Sequence, residues 1–171
     1  HFSNGNIYNG NWTHGKMNGL GKMIYSNGDI YDGEWKDDNI DGVGTYVYSS
    51  GDYYEGNWIK GTANGFGKFF FIDGDVYEGN FLNDNFEGKG TYKYSNGDVY
   101  DGEWKNNSKS GYGIMIYKDG KIEDGFWEND SFIGNNQNIN SNKSIDEENE
   151  NYKKKYLKYK LKYLELKKTV N

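Results

Sequence analysis

The sequence has no cysteine, no proline and no arginine. Without cysteine there is no disulfide framework, no thiolate zinc site and no thiol nucleophile. Without arginine there is no fork for bidentate contacts to phosphate or base edges. No run of about 18 or more apolar residues occurs, so no membrane-spanning helix is expected. No charged, then apolar, then small-residue leader is visible; the chain opens on His1, which leaves a removed leader open. Leu, Ile and Val are too few for a thick aliphatic core. Hydrophobic residues are 34% of the chain and aromatic residues alone 18%, so about half of the apolar residues carry a ring. Hydropathy would suggest disorder, but disordered segments are poor in aromatics. The 25 glycines and the rings must therefore serve something regular.

A 23-residue repeat accounts for both. Tyr8, Tyr31, Tyr54, Tyr77 and Tyr100 are evenly spaced, with Glu123 in the sixth place. Two residues later come Gly10, Gly33, Gly56, Gly79, Gly102 and Gly125, and two further on Trp12, Trp35, Trp58, Phe81, Trp104 and Trp127. A Gly-x-Gly pair follows, as in Gly42 and Gly44, then Tyr25, Tyr48, Phe71, Tyr94 and Tyr117, and a closing glycine such as Gly28 or Gly51. These columns hold 23 of the 25 glycines; only Gly15 and Gly61 fall outside.

Inside each unit the period is two, the signature of a strand. In Tyr31-Asp32-Gly33-Glu34-Trp35 the rings and the glycine share one face and the acids the other. The second half alternates likewise, as in Gly44, Tyr46 and Tyr48, or Gly67, Phe69 and Phe71, or Gly90, Tyr92 and Tyr94. Ser26-Asn27-Gly28-Asp29 reads as a turn between units, since Asn-Gly tolerates positive φ. Lys36 to Asp41 reads as a polar loop between the two strands of one unit. Each unit is thus one β-hairpin. Glycine normally weakens a strand; beside aromatic columns it leaves room for a ring to lie flat. The expected fold is an all-β repeat, an elongated single-layer antiparallel sheet advancing roughly 10 Å per repeat to about 55 Å, followed by one C-terminal α-helix.

The pattern Tyr-x-Gly-x-Trp, six residues, Gly-x-Gly, then Tyr-x-x-Gly resembles the MORN (membrane occupation and recognition nexus) repeat. The resemblance covers residues 1 to about 134, with five full units and partial ones at both ends. It departs at Phe81 and at Glu123, and Asn136 stands where the next glycine is due. The resemblance implies a β-hairpin array and, in many such proteins, tethering at cytoskeletal, axonemal or cortical membrane structures.

Three segments follow: a repeat sheet over 1–134, an Asn-rich linker over 135–150 and a basic amphipathic helix over 151–170. The start on half a unit, Phe2 to Gly5, suggests a piece of a longer array. Tyr152, Tyr156, Tyr159, Tyr163, Leu166 and Val170 form one helical stripe; Leu157, Leu161 and Leu164 form a second on nearly the opposite side. Residues 1–134 hold 11 lysines and 21 acids, −10; residues 135–171 hold 9 lysines and 5 acids, +4. Either stripe is a candidate for docking on the sheet, for a homodimer, or for a partner or anionic membrane. Some MORN proteins carry a C-terminal helix packed against the sheet, so the resemblance favours docking in cis.

Little in the sequence suggests catalysis, a cofactor or a metal. His14 lies in a polar segment with no nucleophile held near it. Asp37-x-Asn39-x-Asp41-Gly42 imitates the opening of an EF-hand, but its twelfth position is Tyr48 and the segment reads as strand. Gly-x-Gly pairs lack a phosphate-loop context. Acids such as Glu34, Glu55, Glu78 and Glu103 recur by column, which indicates solubility. Nucleic acid is disfavoured by the acidic sheet. An acidic sheet is also repelled by anionic lipid, so any membrane contact falls to the Lys-rich helix.

The expectation is a non-enzymatic, cytoplasmic scaffold, associated with cytoskeleton or membrane, whose aromatic face binds a helix or peptide of a protein partner. That face comprises Tyr8, Trp12, Tyr25, Tyr31, Trp35, Tyr46, Tyr48, Tyr54, Trp58, Phe69, Phe71, Tyr77, Phe81, Tyr92, Tyr94, Tyr100, Trp104, Tyr117 and Trp127. Alternatives are that the chain's own helix fills the groove, that the array is a targeting fragment of a larger enzyme such as a phosphatidylinositol phosphate kinase, or that the helix attaches the protein to a membrane.

Overall fold

The structure, a computed structural model, describes residues 1–134. The linker expected over 135–150 and the helix expected over 151–170 lie outside the described residues.

Twelve strands form one antiparallel sheet in strict chain order. They are β1 (Ile7–Thr13), β2 (Lys16–Ile24), β3 (Ile30–Lys36), β4 (Asn39–Val47), β5 (Tyr53–Ile59), β6 (Thr62–Phe70), β7 (Val76–Leu82), β8 (Asn85–Lys93), β9 (Val99–Lys105), β10 (Ser108–Ile116), β11 (Ile122–Glu128) and β12 (Ser131–Gly134). Register repeats from hairpin to hairpin. Gly33 faces Gly44 across one ladder and Gly21 across the other. Gly56 faces Gly67 and Gly44 in the same way.

The two kinds of turn are the reverse of what their residues suggest. The expected loop over Lys36 to Asp41 is instead a two-residue turn, with β4 beginning at Asn39. Asp37 and Asp38 both take positive φ, 48° and 69°, as a type I′ turn requires. Asn83-Asp84, Asn106-Asn107 and Asn129-Asp130 do the same. Asp and Asn tolerate this region because their short side chains bond locally. The Asn27-Gly28 turn is longer: only Gly28 has positive φ, 94°. Gly28 N–H donates to Tyr25 O at 3.0 Å and Tyr25 N–H to Asp29 O at 2.9 Å. This is a three-residue connection closed by a glycine bulge.

Each long strand also carries a bulge. Gly33 pairs with Gly44 but Trp35 pairs with Ile40, so three residues of β4 oppose one of β3. Gly42 sits in the bulge with φ 112°, the reason for glycine in that column.

The core lies on one face, here the front. Tyr31, Tyr54, Tyr77 and Tyr100 are almost completely buried there, with Trp35, Trp58, Phe81, Trp104 and Trp127 close behind. The back face is mainly polar at mid-strand. Nearer the long turns it carries an apolar row, Ile24, Ile30, Val47, Tyr53, Phe70 and Val76, as successive cross-strand partners. Tyr53 and Phe70 stack at 4.2 Å.

Candidate protein-binding face

The front face is built from a two-ring clasp repeated along the sheet. Tyr31 lies along its own hairpin above the Gly33–Gly44 pair. A Cβ on Gly44 would fall 2.3 Å from the Tyr31 hydroxyl oxygen. That hydroxyl donates to Glu34 O at 3.0 Å. The Trp35 indole reaches back across the sheet and donates to Gly21 O of the preceding hairpin at 2.9 Å. Trp58, Trp104 and Trp127 repeat the bond to Gly44, Gly90 and Gly113. Each tyrosine is then held edge-on between two rings: Tyr31 meets Trp35 at 5.3 Å and Trp58 at 5.7 Å, both near perpendicular. Such edge-to-face pairs contribute ~0.5–1.5 kcal/mol beyond the area they bury.

The tyrosine and tryptophan columns of the inner repeats thus form the floor of the face. Trp12, on the edge strand β1, is 51% exposed against 5% for Trp35, and Tyr8 packs between them. The surface above the floor is a second line of rings from the longer strands. Tyr25, Tyr46, Tyr48, Phe69, Phe71, Tyr92 and Tyr94 follow one another at centroid distances of 4.5 to 5.9 Å. All are half-buried, as is Tyr117. The structure thereby brings all 19 rings of the expected face onto one side of the sheet and divides them into floor and surface. The stripes Tyr152, Tyr156, Tyr159, Tyr163, Leu166 and Leu157, Leu161, Leu164 lie outside the described residues.

Another column shapes this surface, and no residue type marks it. Met17, Ile40, Ala63, Phe86, Lys109 and Phe132 occupy the same place in successive units. Phe86 stacks flat on Tyr77 at 3.7 Å. Lys109 sets its ammonium 4.9 Å from the Trp127 ring and 5.6 Å from Tyr94. Burial draws the Lys109 pKa down, against the pull of Asp130 and Glu123.

Acidic side chains join neighbouring repeats at both edges. Asp29 accepts the backbone N–H of Ser49 in the next turn at 2.8 Å, and Asp52, Asp75 and Asp98 repeat this with Ile72, Ser95 and Lys118. Asp29 also accepts the Tyr46 hydroxyl at 2.9 Å, and Asp75 that of Tyr92 at 2.7 Å. The Ser49 bond leads the effects that hold the Asp29 carboxyl below its usual range. At the other edge Asp38, Asp84, Asn107 and Asp130 accept the N–H of Met17, Ala63, Phe86 and Lys109. In the sequence these Asp and Asn residues look like solvent-facing turn residues; their recurrence every 23 positions was the signal available.

The hydroxyls of the face stay protonated at neutral pH. Burial raises Tyr54 and Tyr94 to about 12. Tyr117 rises to about 12 chiefly through its bond to Glu123, then through burial. Glu123, in the column where tyrosine is lost, instead holds Tyr117 at 2.6 Å and Lys121 at 2.7 Å. Apart from the Lys109 ammonium at the Trp127 end, the face therefore presents uncharged ring surface with polar tips. Among the described residues no group of three or more His, Cys, Asp or Glu is placed to hold a metal ion, and no helix is long and apolar enough to cross a membrane.

These features define a tandem β-hairpin repeat sheet with one aromatic face. The MORN repeat family model matches residues 8–30, 31–53, 54–76, 77–99 and 100–122, and the chain belongs to the MORN repeat family. No curated protein matches the chain. A similar solved structure is the TCP domain of Drosophila melanogaster SAS-4, in complex with a proline-rich motif of Ana2. It is 16% identical, with a TM-score of 0.48, over 73% of this chain and 68% of that one. A likeness of that size carries no argument about function. MORN repeats make up protein-binding and membrane-associated repeat modules.

Proposed function

We propose that the chain is a non-enzymatic interaction module that holds an amphipathic helix or extended peptide of a protein partner on its front face, as a tether at cytoskeletal or cortical membrane structures. One observation carries this reading: the unbroken line of half-buried rings from Tyr25 to Tyr94 above a floor that needs nothing more to be packed. A contiguous aromatic surface on a folded domain marks an interface, and tyrosine is well suited to one because it is amphipathic and loses little rotamer freedom. The pitch of the ring line follows the repeat, so a partner with apolar residues at regular spacing can engage several units in register. Ligand binding then needs no acid, base or metal from the sheet.

A photo-crosslinking residue in place of Tyr48 or Phe71 tests this against the same residue in place of Val43, which is exposed on the back face. The front positions should trap a partner segment that has an apolar stripe. Tyr48→Ser with Phe71→Ser should then weaken that complex at least ~10-fold with the sheet still folded. Equal trapping from both faces would remove the proposal.

A further inference from the structure

One position in the ring surface carries a charge that the matching positions of the other units do not. The column Met17, Ile40, Ala63, Phe86, Lys109 and Phe132 is apolar everywhere except at Lys109. In the preceding unit Phe86 lies flat on Tyr77 at 3.7 Å. Lys109 takes the same place beside Tyr100. Its ammonium is 5.5 Å from the Tyr100 ring, 4.9 Å from Trp127 and 5.6 Å from Tyr94. A lysine stem can cover ring surface as a phenylalanine does and carry its charge to the top.

Ring faces attract a cation, but they leave its three N–H donors without an oxygen. Among the described residues no carboxylate lies within ion-pair distance of the Lys109 ammonium. The two acids that act on it, Asp130 and Glu123, are engaged elsewhere. Glu123 accepts from Tyr117 and Lys121, and Asp130 accepts the Lys109 backbone N–H at 2.8 Å. The Lys121 ammonium, at the turn edge of the face over Tyr117, is paired with Glu123 at 2.7 Å. Lys109 is thus a cation set into the ring surface with its hydrogen-bonding capacity unspent.

We propose that Lys109 sets the register and specificity of the front face by selecting a partner helix that carries a glutamate or aspartate side chain at the end of its apolar stripe. This rests on the front-face reading above and adds to it a charge and a position. Tyr48, Phe71 and Tyr94 are one repeat apart, roughly 10 Å, which a helix lying across the strands covers in about seven residues. The Lys109 ammonium is 5.6 Å from the Tyr94 ring. The acid therefore belongs about four residues past the apolar side chain that meets Tyr94, on the same side of the helix. A carboxylate fits better than a phosphate dianion, because Asp130 and Glu123 already place negative charge around the ammonium. The rings alone are nearly alike from unit to unit, so an apolar stripe could slip by one repeat. A slipped acid would meet Phe86 or Phe132 and leave the ammonium under an apolar residue, which penalises the wrong registers.

Synthetic helical peptides test the site. Each has leucines at this spacing and then Glu, Gln or Lys at the expected place, and each is made in both sequence orders so that either direction along the sheet is sampled. On the full chain the Glu peptide should bind about 10-fold more tightly than the Gln peptide, with the Lys peptide weakest. Lys109→Met, which supplies the residue that β2 carries in this column, should erase the difference between Glu and Gln and leave the Gln peptide little changed. Lys109→Glu should make the Lys peptide the tightest of the three. The comparison of peptides on the unaltered chain needs no variant, so it decides the question even if a variant does not fold. Equal binding of Glu and Gln peptides, or a preference for Glu that survives Lys109→Met, overturns the proposal and leaves the front-face reading standing. Displacement of the Glu peptide by excess inorganic phosphate at constant ionic strength also overturns it, by assigning a phosphate site. Absence of binding by every peptide, or binding that Tyr48→Ser with Phe71→Ser does not weaken, removes the front-face reading and this proposal with it.

Discussion

Gly44 is the residue at which the fold has least freedom. Any Cβ there meets the Tyr31 ring at 2.3 to 2.6 Å, and that ring is pinned by Trp35 and Trp58. Gly44→Ala should therefore lower stability by about 2–3 kcal/mol, as overpacking in a rigid core does. At Gly61 an added methyl would meet nothing within 4 Å, and only the φ of +85° stands against it, so Gly61→Ala should cost about 1–2 kcal/mol through backbone strain alone. Urea unfolding of the two variants checks the order. The indole bond can be isolated in the same way. Trp58→Phe keeps a ring but leaves Gly44 O without its 3.1 Å donor, and about 1 kcal/mol should be lost. Phe81 shows that the lattice accepts this change where a neighbour compensates, since Phe86 packs edge-on against it at 5.4 Å and fills the floor.

A hairpin is the element that the sequence made plain, because alternation, glycine spacing and ring columns all report one fixed pleat. The face of each ring in the expected site could be read from that parity. What parity could not supply was depth. Tyr31 and Tyr46 share a face, yet one is floor and the other surface, because only Tyr31 has a glycine pair to lie on. Nor could it distinguish the two turns, since Asp37-Asp38 in a type I′ turn has no glycine to announce it. The column from Met17 to Phe132 varies in every property except position. The edges between hairpins depend on ionisation, with a definite sign. Asp29, Asp52 and Asp75 have folded pKa values below the unfolded value. Their contribution is complete above about pH 4 and is lost as pH falls through the folded values. Asp29→Ala should cost about 1–2 kcal/mol at pH 7 and flatten the acid limb of the stability profile. The tyrosines act at the other end. Tyr54 and Tyr94 are raised to about 12, so their contribution is complete below about pH 10 and is lost as pH rises through the folded value. A ring-resolved NMR titration should show Tyr54 and Tyr94 ionising together with loss of the sheet signal, not before it.

At the scale of the described sheet, each strand pairs with its chain neighbours only, and the repeats share one strand register and most of their side-chain connections to the next. Such an array is nearly one-dimensional, with stability close to a sum of unit and interface terms. The register makes the consequence sharp. Gly42, Gly44 and Tyr46 of β4 face Trp58, Gly56 and Tyr54 of β5, while Gly65, Gly67 and Phe69 of β6 face Phe81, Gly79 and Tyr77 of β7. Removing residues 54–76 therefore brings β4 against a strand with the same glycine and aromatic positions, with Phe81 in the place of Trp58 and Gly44 O losing only its indole donor. Deletion of that 23-residue block should give a folded sheet whose urea m-value is smaller by about one-sixth, in proportion to the surface lost. Removing 20 residues, 58–77, changes the chain by nearly the same amount but joins β5 to β7 within the strand, leaving Tyr54 and Phe81 seven residues apart instead of four and so on opposite faces. That variant should lose cooperative unfolding and tryptophan ellipticity altogether. If both deletions were tolerated equally, the Tyr-over-glycine clasp would not be what ties one hairpin to the next.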